Sequence, residues 1–120
     1  MTDNWHKKRI ESLIRKELGA TLLRYPKDRI FVGVTITAVD VSPDLAVAKI
    51  FFSLFDNIFI EDAIHVLQRE DRFLRKILAK SLNLRITPKL IFVHDDSIRK
   101  SQELMKLINS VVAADEEVLS

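Results

Sequence analysis

The stretch LRITPKLIFVHDDSIRK, residues 84–100, decides how the rest of the chain is read. Pro88 marks the entry to a strand, because its ring fixes φ and it has no N–H to offer a central ladder. From Lys89 to His94 the run Leu90, Ile91, Phe92 and Val93 is apolar at every position. Side chains of a strand alternate between faces, so this one is expected to be covered on most of both sides. Asp95, Asp96 and Ser97 follow, and side chains of this type accept hydrogen bonds from the first N–H groups of a helix. A helix is therefore predicted over 98–113, with Ile98, Met105, Ile108 and Val112 on its apolar side. Arg85, set just ahead of the strand, needs a partner from elsewhere in the chain or from outside it.

Upstream of this stretch, Ile60, Ala63, Ile64, Leu67, Phe73, Leu74, Ile77, Leu78 and Leu82 recur at helical spacing across 58–83. The phase breaks around Glu70-Asp71, which predicts two consecutive helices or one kinked helix. Asp56-Asn57 before them offers a turn and a possible helix cap. Further back, RIFVGVTITAVDV at 29–41 is rich in β-branched residues, with Val32, Val34, Ile36 and Ala38 alternating against Thr35 and Thr37. SPD at 42–44 is a turn with Pro at its second position. LAVAKIFFSLF follows, with Ala46, Ala48, Ile50, Phe52 and Leu54 on one face, so the two strands form a hairpin. From Trp5 to about Arg24, Ile10, Leu13, Ile14, Leu18 and Leu22 mark one amphipathic helix, which Tyr25-Pro26 ends. The order is α-β-β-α-α-β-α, an α+β fold with a three-stranded sheet and helices packed on it.

A chain of 120 residues, 48% hydrophobic, supports one core and not two, so a single domain over 1–120 is expected. Its ordered part is placed at about 5–113 and an acidic tail at 114–120. There is no cysteine, which removes disulfides, thiolate nucleophiles and cysteine-ligated zinc, and suits a reducing compartment. The apolar run IFFSLF at 50–55 is far shorter than the roughly 18 residues of a membrane span. MTDNWHKKRI leads straight into the first helix without a signal core, so a cytoplasmic location is expected.

The net charge of +2 conceals a segregation. Residues 5–29 carry +5, residues 69–89 carry +5, and the remainder carries −8. Such a chain presents basic faces to a polyanion. On a helix, Arg72, Lys76 and Lys80 stand at i, i+4 and i+8, with Arg69 and Arg75 flanking, while Phe73, Leu74, Ile77 and Leu78 point elsewhere. Catalytic chemistry finds no comparable support. His6, His65 and His94 lack metal-ligand spacing, and His94 with Asp95, Asp96 and Ser97 reads as a strand end followed by caps. With only Gly19 and Gly33, no phosphate-cradling loop can be built. Neither an enzyme nor a cofactor, nucleotide or metal, is expected. Phe59, in NIFI, stands apart as a possible exposed apolar patch.

Four stretches together resemble the ribosome-binding factor A family: KRIESLIRKEL (8–18), VTITAVDVSPDLAVAKIFFS (34–53), LRKILAKSLNLRITPKLIFVHDDS (74–97) and LMKLINSVV (104–112). Val41-Ser42-x-Asp44-Leu45-x-x-Ala48 and Leu84-Arg85-x-x-Pro88-x-Leu90-x-Phe92-x-x-Asp95-x-Ser97 are its most specific parts. The resemblance implies a type-II KH-like fold and binding to the free small ribosomal subunit, near the neck and decoding region of its 16S rRNA. It also implies help in late maturation of that rRNA and in adaptation to cold, by a protein expected to be monomeric. Lys7, Lys8, Arg9, Arg29, Arg72, Arg75, Lys76, Lys80 and Arg85 are the candidate RNA contacts. Arg85 either meets rRNA phosphate or pairs with an acid such as Asp44 or Asp95.

The chain departs from the family pattern in three places. Glu70-Asp71-Arg72 stands where the family has an Ala-x-Gly kink, Lys27-Asp28-Arg29 stands where it has Asp-Pro-Arg, and Ile58-Phe59-Ile60 is unusually apolar. Two other functions fit the residues: a KH-like module for single-stranded RNA away from ribosomes, and a protein-interaction module using the Ile58-Phe59-Ile60 patch. The lack of a GxxG loop and of an aromatic platform argues against the first.

Overall fold

Helix α1 spans Thr2–Arg24 and buries Ile14, Leu18 and Leu22, one turn apart, against the sheet, while Leu13 at the margin of the same stripe is 40% exposed. The computed structural model describes residues 2–55 and 58–119, with the side chains at 2–4, 98, 99 and 113–119 outside the description. The last helical bond of α1 runs from the Tyr25 N–H to the Thr21 carbonyl (2.9 Å), and Pro26 has no N–H to continue it.

The first strand does not begin at Arg29. Residues Arg29–Gly33 form a 3-10 turn, η1, started by Asp28, whose carboxylate accepts from the Ile30 N–H (3.0 Å) and whose carbonyl accepts from the Phe31 N–H (3.0 Å). A local side-chain bond of this kind competes with the ladder despite the β-branched composition. Strand β1 is Val34–Val41 and pairs antiparallel with β2, Val47–Leu54. The register slips between Ile36 and Ala38, which leaves Thr37 in a β-bulge. Val34 and Ile36 face the core as expected, but beyond the bulge Val39 and Val41 turn inward and Ala38 turns out. Val32, in η1, is 54% exposed.

The turn between β1 and β2 explains the Ser42-x-Asp44 spacing. The Leu45 N–H donates to the Ser42 carbonyl (2.8 Å), the Ser42 hydroxyl donates to Asp44 Oδ1 (2.7 Å) and accepts from the Val47 N–H (3.0 Å), and Asp44 Oδ1 accepts from the Ala46 N–H (3.1 Å). These bonds hold Leu45 at φ 61°, a left-handed position unfavourable for leucine, whose side chain packs on the core. The same donors hold the Asp44 carboxyl below its usual range, the Ser42 hydroxyl contributing most.

Helices α2 (Ile60–Arg69) and α3 (Asp71–Ser81) meet at Glu70, so the break in phase is real. The expected cap at Asp56-Asn57 lies outside the described residues; Phe59 occupies the position before α2 and gives no side-chain cap. Strand β3, Lys89–His94, lies parallel to β2, giving the order β1-β2-β3. Helices α1, α2 and α3 cover one face, where Phe31, Ile50, Phe52, Leu67, Leu74, Leu78 and Leu90 are fully buried. The opposite face carries Lys49, Lys89 and Ile91, the last 39% exposed, so β3 is not covered on both sides as its composition predicts. Nor does the closing helix supply that cover. Helix α4 runs over Ser97–Leu119, longer than the expected 98–113, and packs little on the other elements, with Leu104, Leu107, Ile108 and Val111 exposed.

Candidate nucleic-acid interface

The three cations of α3 come out as the spacing predicts. Leu74 and Leu78 are fully buried, which fixes the roll of the helix, and Arg72, Lys76 and Lys80 are thereby carried on its exposed side. Successive members are about 6 Å apart along the axis. None of the three has an ion pair among the described residues, so their charge is available to a ligand.

Arg75 is used differently. Its guanidinium donates to the Thr87 carbonyl (3.1 Å) and pairs with Asp71 one turn back (3.8 Å), so it holds the loop ahead of β3 against α3. Asp71 in turn accepts from the Leu90 N–H (3.3 Å), and Gln68 Nε2 donates to the Leu90 carbonyl (3.0 Å). The junction of α2 and α3 thus closes the outer edge of β3, an exposed ladder that would otherwise invite another strand. Glu70 makes the bend at φ −92° and ψ 13°, a negative-φ conformation open to any residue, which is why the bend needs no glycine.

Arg85 follows from how α3 ends. Asn83 takes φ 52° and the Leu84 N–H reaches back to the Ala79 carbonyl (3.1 Å), the bond pattern of a left-handed helix terminus that asparagine tolerates. This turns Leu84 inward to a half-buried position and leaves Arg85 exposed. The pairing with Asp44 or Asp95 is absent, since Asp44 is engaged by Ser42 and Ala46, and Asp95 by the Thr37 hydroxyl (2.7 Å) and the Ser97 N–H (3.0 Å).

The remaining candidates are spread along α1 and η1. Lys7 pairs with Asp40 (3.5 Å), Arg9 lies over the Trp5 ring (5.5 Å), and Lys8 and Arg29 are exposed. The far end of α1 meets α3 through Tyr25 and Phe73, edge to face at 6.1 Å, and through Lys27, which sits 3.9 Å above the Phe73 ring and 3.9 Å from Glu70. Lys7, Lys8 and Arg9 stand about 25 Å from that junction along the helix axis, so they form a separate basic group. Arg69 is held by Asp28 (3.4 Å) and Glu70 (3.6 Å).

Sequence reasoning missed the Thr37–Asp95 bond, which crosses β2 to tie the end of β3 to the bulge in β1. Its one signal was the shift of apolar residues from even to odd positions after Ile36. The Thr37 hydroxyl, then the Ser97 N–H, hold the Asp95 carboxyl below its usual range. The Asp95 N–H also donates to the Phe52 carbonyl (2.7 Å), so this aspartate does more than cap a helix. Among the described residues no cluster of histidine and carboxylates could hold a metal ion, and no helix is long and apolar enough to cross a membrane.

Comparison with known proteins bears on this arrangement. The family profile for ribosome-binding factor A matches residues 6–108. A ribosome-binding factor A of Coxiella burnetii is 34% identical over 108 residues, which is 90% of this chain and 91% of that relative. The chain belongs to the ribosome-binding factor A family. Its fold is similar to the crystal structure of the family member from Thermus thermophilus, with a TM-score of 0.66 and 27% identity over 73% of this chain and 94% of that one. A homology model of the Thermus thermophilus protein, fitted into a cryo-EM map of its complex with the 30S subunit, matches with a TM-score of 0.63 at 25% identity, over 73% and 93%. The solution structure of a Thermotoga maritima member matches with a TM-score of 0.55 at 25% identity, over 78% and 87%. The α+β fold with one three-stranded sheet is therefore the family's KH-like fold, reached here with glutamate at the bend and aspartate ahead of η1.

Proposed function

We propose that this protein binds the free small ribosomal subunit through phosphates of 16S rRNA and assists late maturation of that rRNA, including growth in the cold. It acts without catalysing a reaction, as a single monomeric domain in the cytoplasm. The observation that carries the proposal is the row of Arg72, Lys76 and Lys80, exposed and unpaired among the described residues on α3 of a chain in this family. Cations placed this way gain affinity by releasing counterions from phosphate and need no base-specific geometry. Arg85, beyond the end of the same helix, and Arg29 extend the contact, Lys7, Lys8 and Arg9 offer a second basic group at the other end of α1, and Arg75 serves the fold. The fitted 30S complex of the Thermus thermophilus relative supports this choice of partner. A strain lacking the protein should accumulate 16S precursor with an unprocessed 5′ end at low temperature. The wild-type chain should clear it and a chain with all three α3 cations neutralised should not; clearance by both would overturn the assignment of the interface.

A further inference from the structure

Phe55 and Phe59 are 70% and 76% exposed, and Ile60, next in the chain to Phe59, is exposed as well. Gly33 draws the group together. Its carbonyl accepts from the Phe55 N–H (3.1 Å), the Phe55 carbonyl accepts from the Ile58 N–H (3.4 Å), and the side chains of Ile58 and Phe55 lie over the Gly33 Cα, where a Cβ would meet Ile58 Cδ1. Ile58 packs on the core, and Phe59 is left to solvent at the start of α2, where a serine or aspartate would have capped the helix. Exposing the ring and forgoing the cap are both unfavourable for the isolated chain, so the fold does not account for Phe59.

The charges around this patch oppose those of α3. Glu61 and Asp62 stand in the first turn of α2, next to Phe59, and residues 58–62 hold no lysine or arginine. Glu61 and Asp62 are exposed and have no ion pair among the described residues. They complement the helix dipole, but they also repel phosphate, which sets the patch apart from an RNA contact. An apolar centre with an acidic rim is complementary to a basic, partly apolar peptide segment, and proteins that sit on rRNA carry such segments because they must neutralise phosphate.

We propose that the Phe55-Phe59 patch docks a basic, partly apolar segment of a small-subunit ribosomal protein while α3 holds the rRNA. This rests on the ribosomal reading above. The test places p-benzoylphenylalanine at position 59 of the full chain, binds it to free small subunits, irradiates, and maps the adduct. In parallel, Phe59→Ser is titrated against whole subunits and against protein-free 16S rRNA. Adducts on a lysine- or arginine-rich protein segment are expected, with binding of Phe59→Ser to subunits weakened about tenfold and binding to bare rRNA unchanged. Adducts on rRNA alone, no adduct, or equal losses on both targets would overturn the docking surface while the subunit reading stands. Failure of the wild-type chain to bind subunits at all would overturn both.

Discussion

Neutralising the α3 row by Arg72→Gln, Lys76→Gln and Lys80→Gln should remove a defined part of the affinity for the small subunit. All three side chains are exposed and lack ion pairs among the described residues, so the triple change breaks no internal bond. Surface changes of this kind alter stability by only about 0.5 kcal/mol. If each cation neutralises one phosphate, counterion release assigns it a slope of about 0.7 on single-stranded and about 0.9 on duplex targets in log affinity against log salt. Three contacts then account for a slope of about 2 to 3, and at ~0.1 M salt for a loss of about 10²–10³ in affinity. The assay is subunit binding by the fluorescently labelled chain at several salt concentrations, with circular dichroism as the control on folding. An unchanged slope with an intact fold would refute the placement of the interface on α3.

Arg75→Met, by contrast, removes the bond to Thr87 and the pair with Asp71, and should lower unfolding free energy by about 1 kcal/mol in urea titration while leaving the salt slope alone. Thr37→Val should raise the Asp95 carboxyl toward its ordinary value, read by NMR titration. Because Asp95 is depressed in the folded state, its stabilisation is present above the ordinary carboxylate range and is lost as pH falls through the depressed value. Thr37→Val should therefore be less stable than the wild type at neutral pH, with the difference shrinking on acid titration as the wild type loses the Asp95 contribution. Gly33→Ala drives a methyl into Ile58 and should cost about 1–3 kcal/mol, part of it recovered when Ile58→Ala is added.

The elements that the sequence made legible are those whose apolar period goes uninterrupted. The bounds of β3 follow from Pro88 and from the caps after His94, and the break between α2 and α3 follows from the phase of Leu67 against Leu74. The misreadings of the first strand share a cause, which is a polar side chain whose bond overrides the apolar period. Asp28 converts the start of a β-rich run into a 3-10 turn, and Thr37 takes a bulge that reverses the faces of the residues after it. The exposure of Ile91 and of the α4 apolar residues could not be read from composition, since an apolar strand or helix does not state what covers it. On α3, spacing alone picked out Arg72, Lys76 and Lys80 as cations of the exposed face. It could not separate them from Arg75, because the carbonyl of Thr87 that engages Arg75 comes from a loop twelve residues on.

We propose above that this chain recognises the free small subunit. Sedimenting the purified protein with free small subunits, large subunits and joined ribosomes, at low and moderate salt, tests it most directly. The chain should pellet with the free small subunit alone, and less of it as salt rises. Equal pelleting with all three particles, or with none while the fold stays intact, would contradict it.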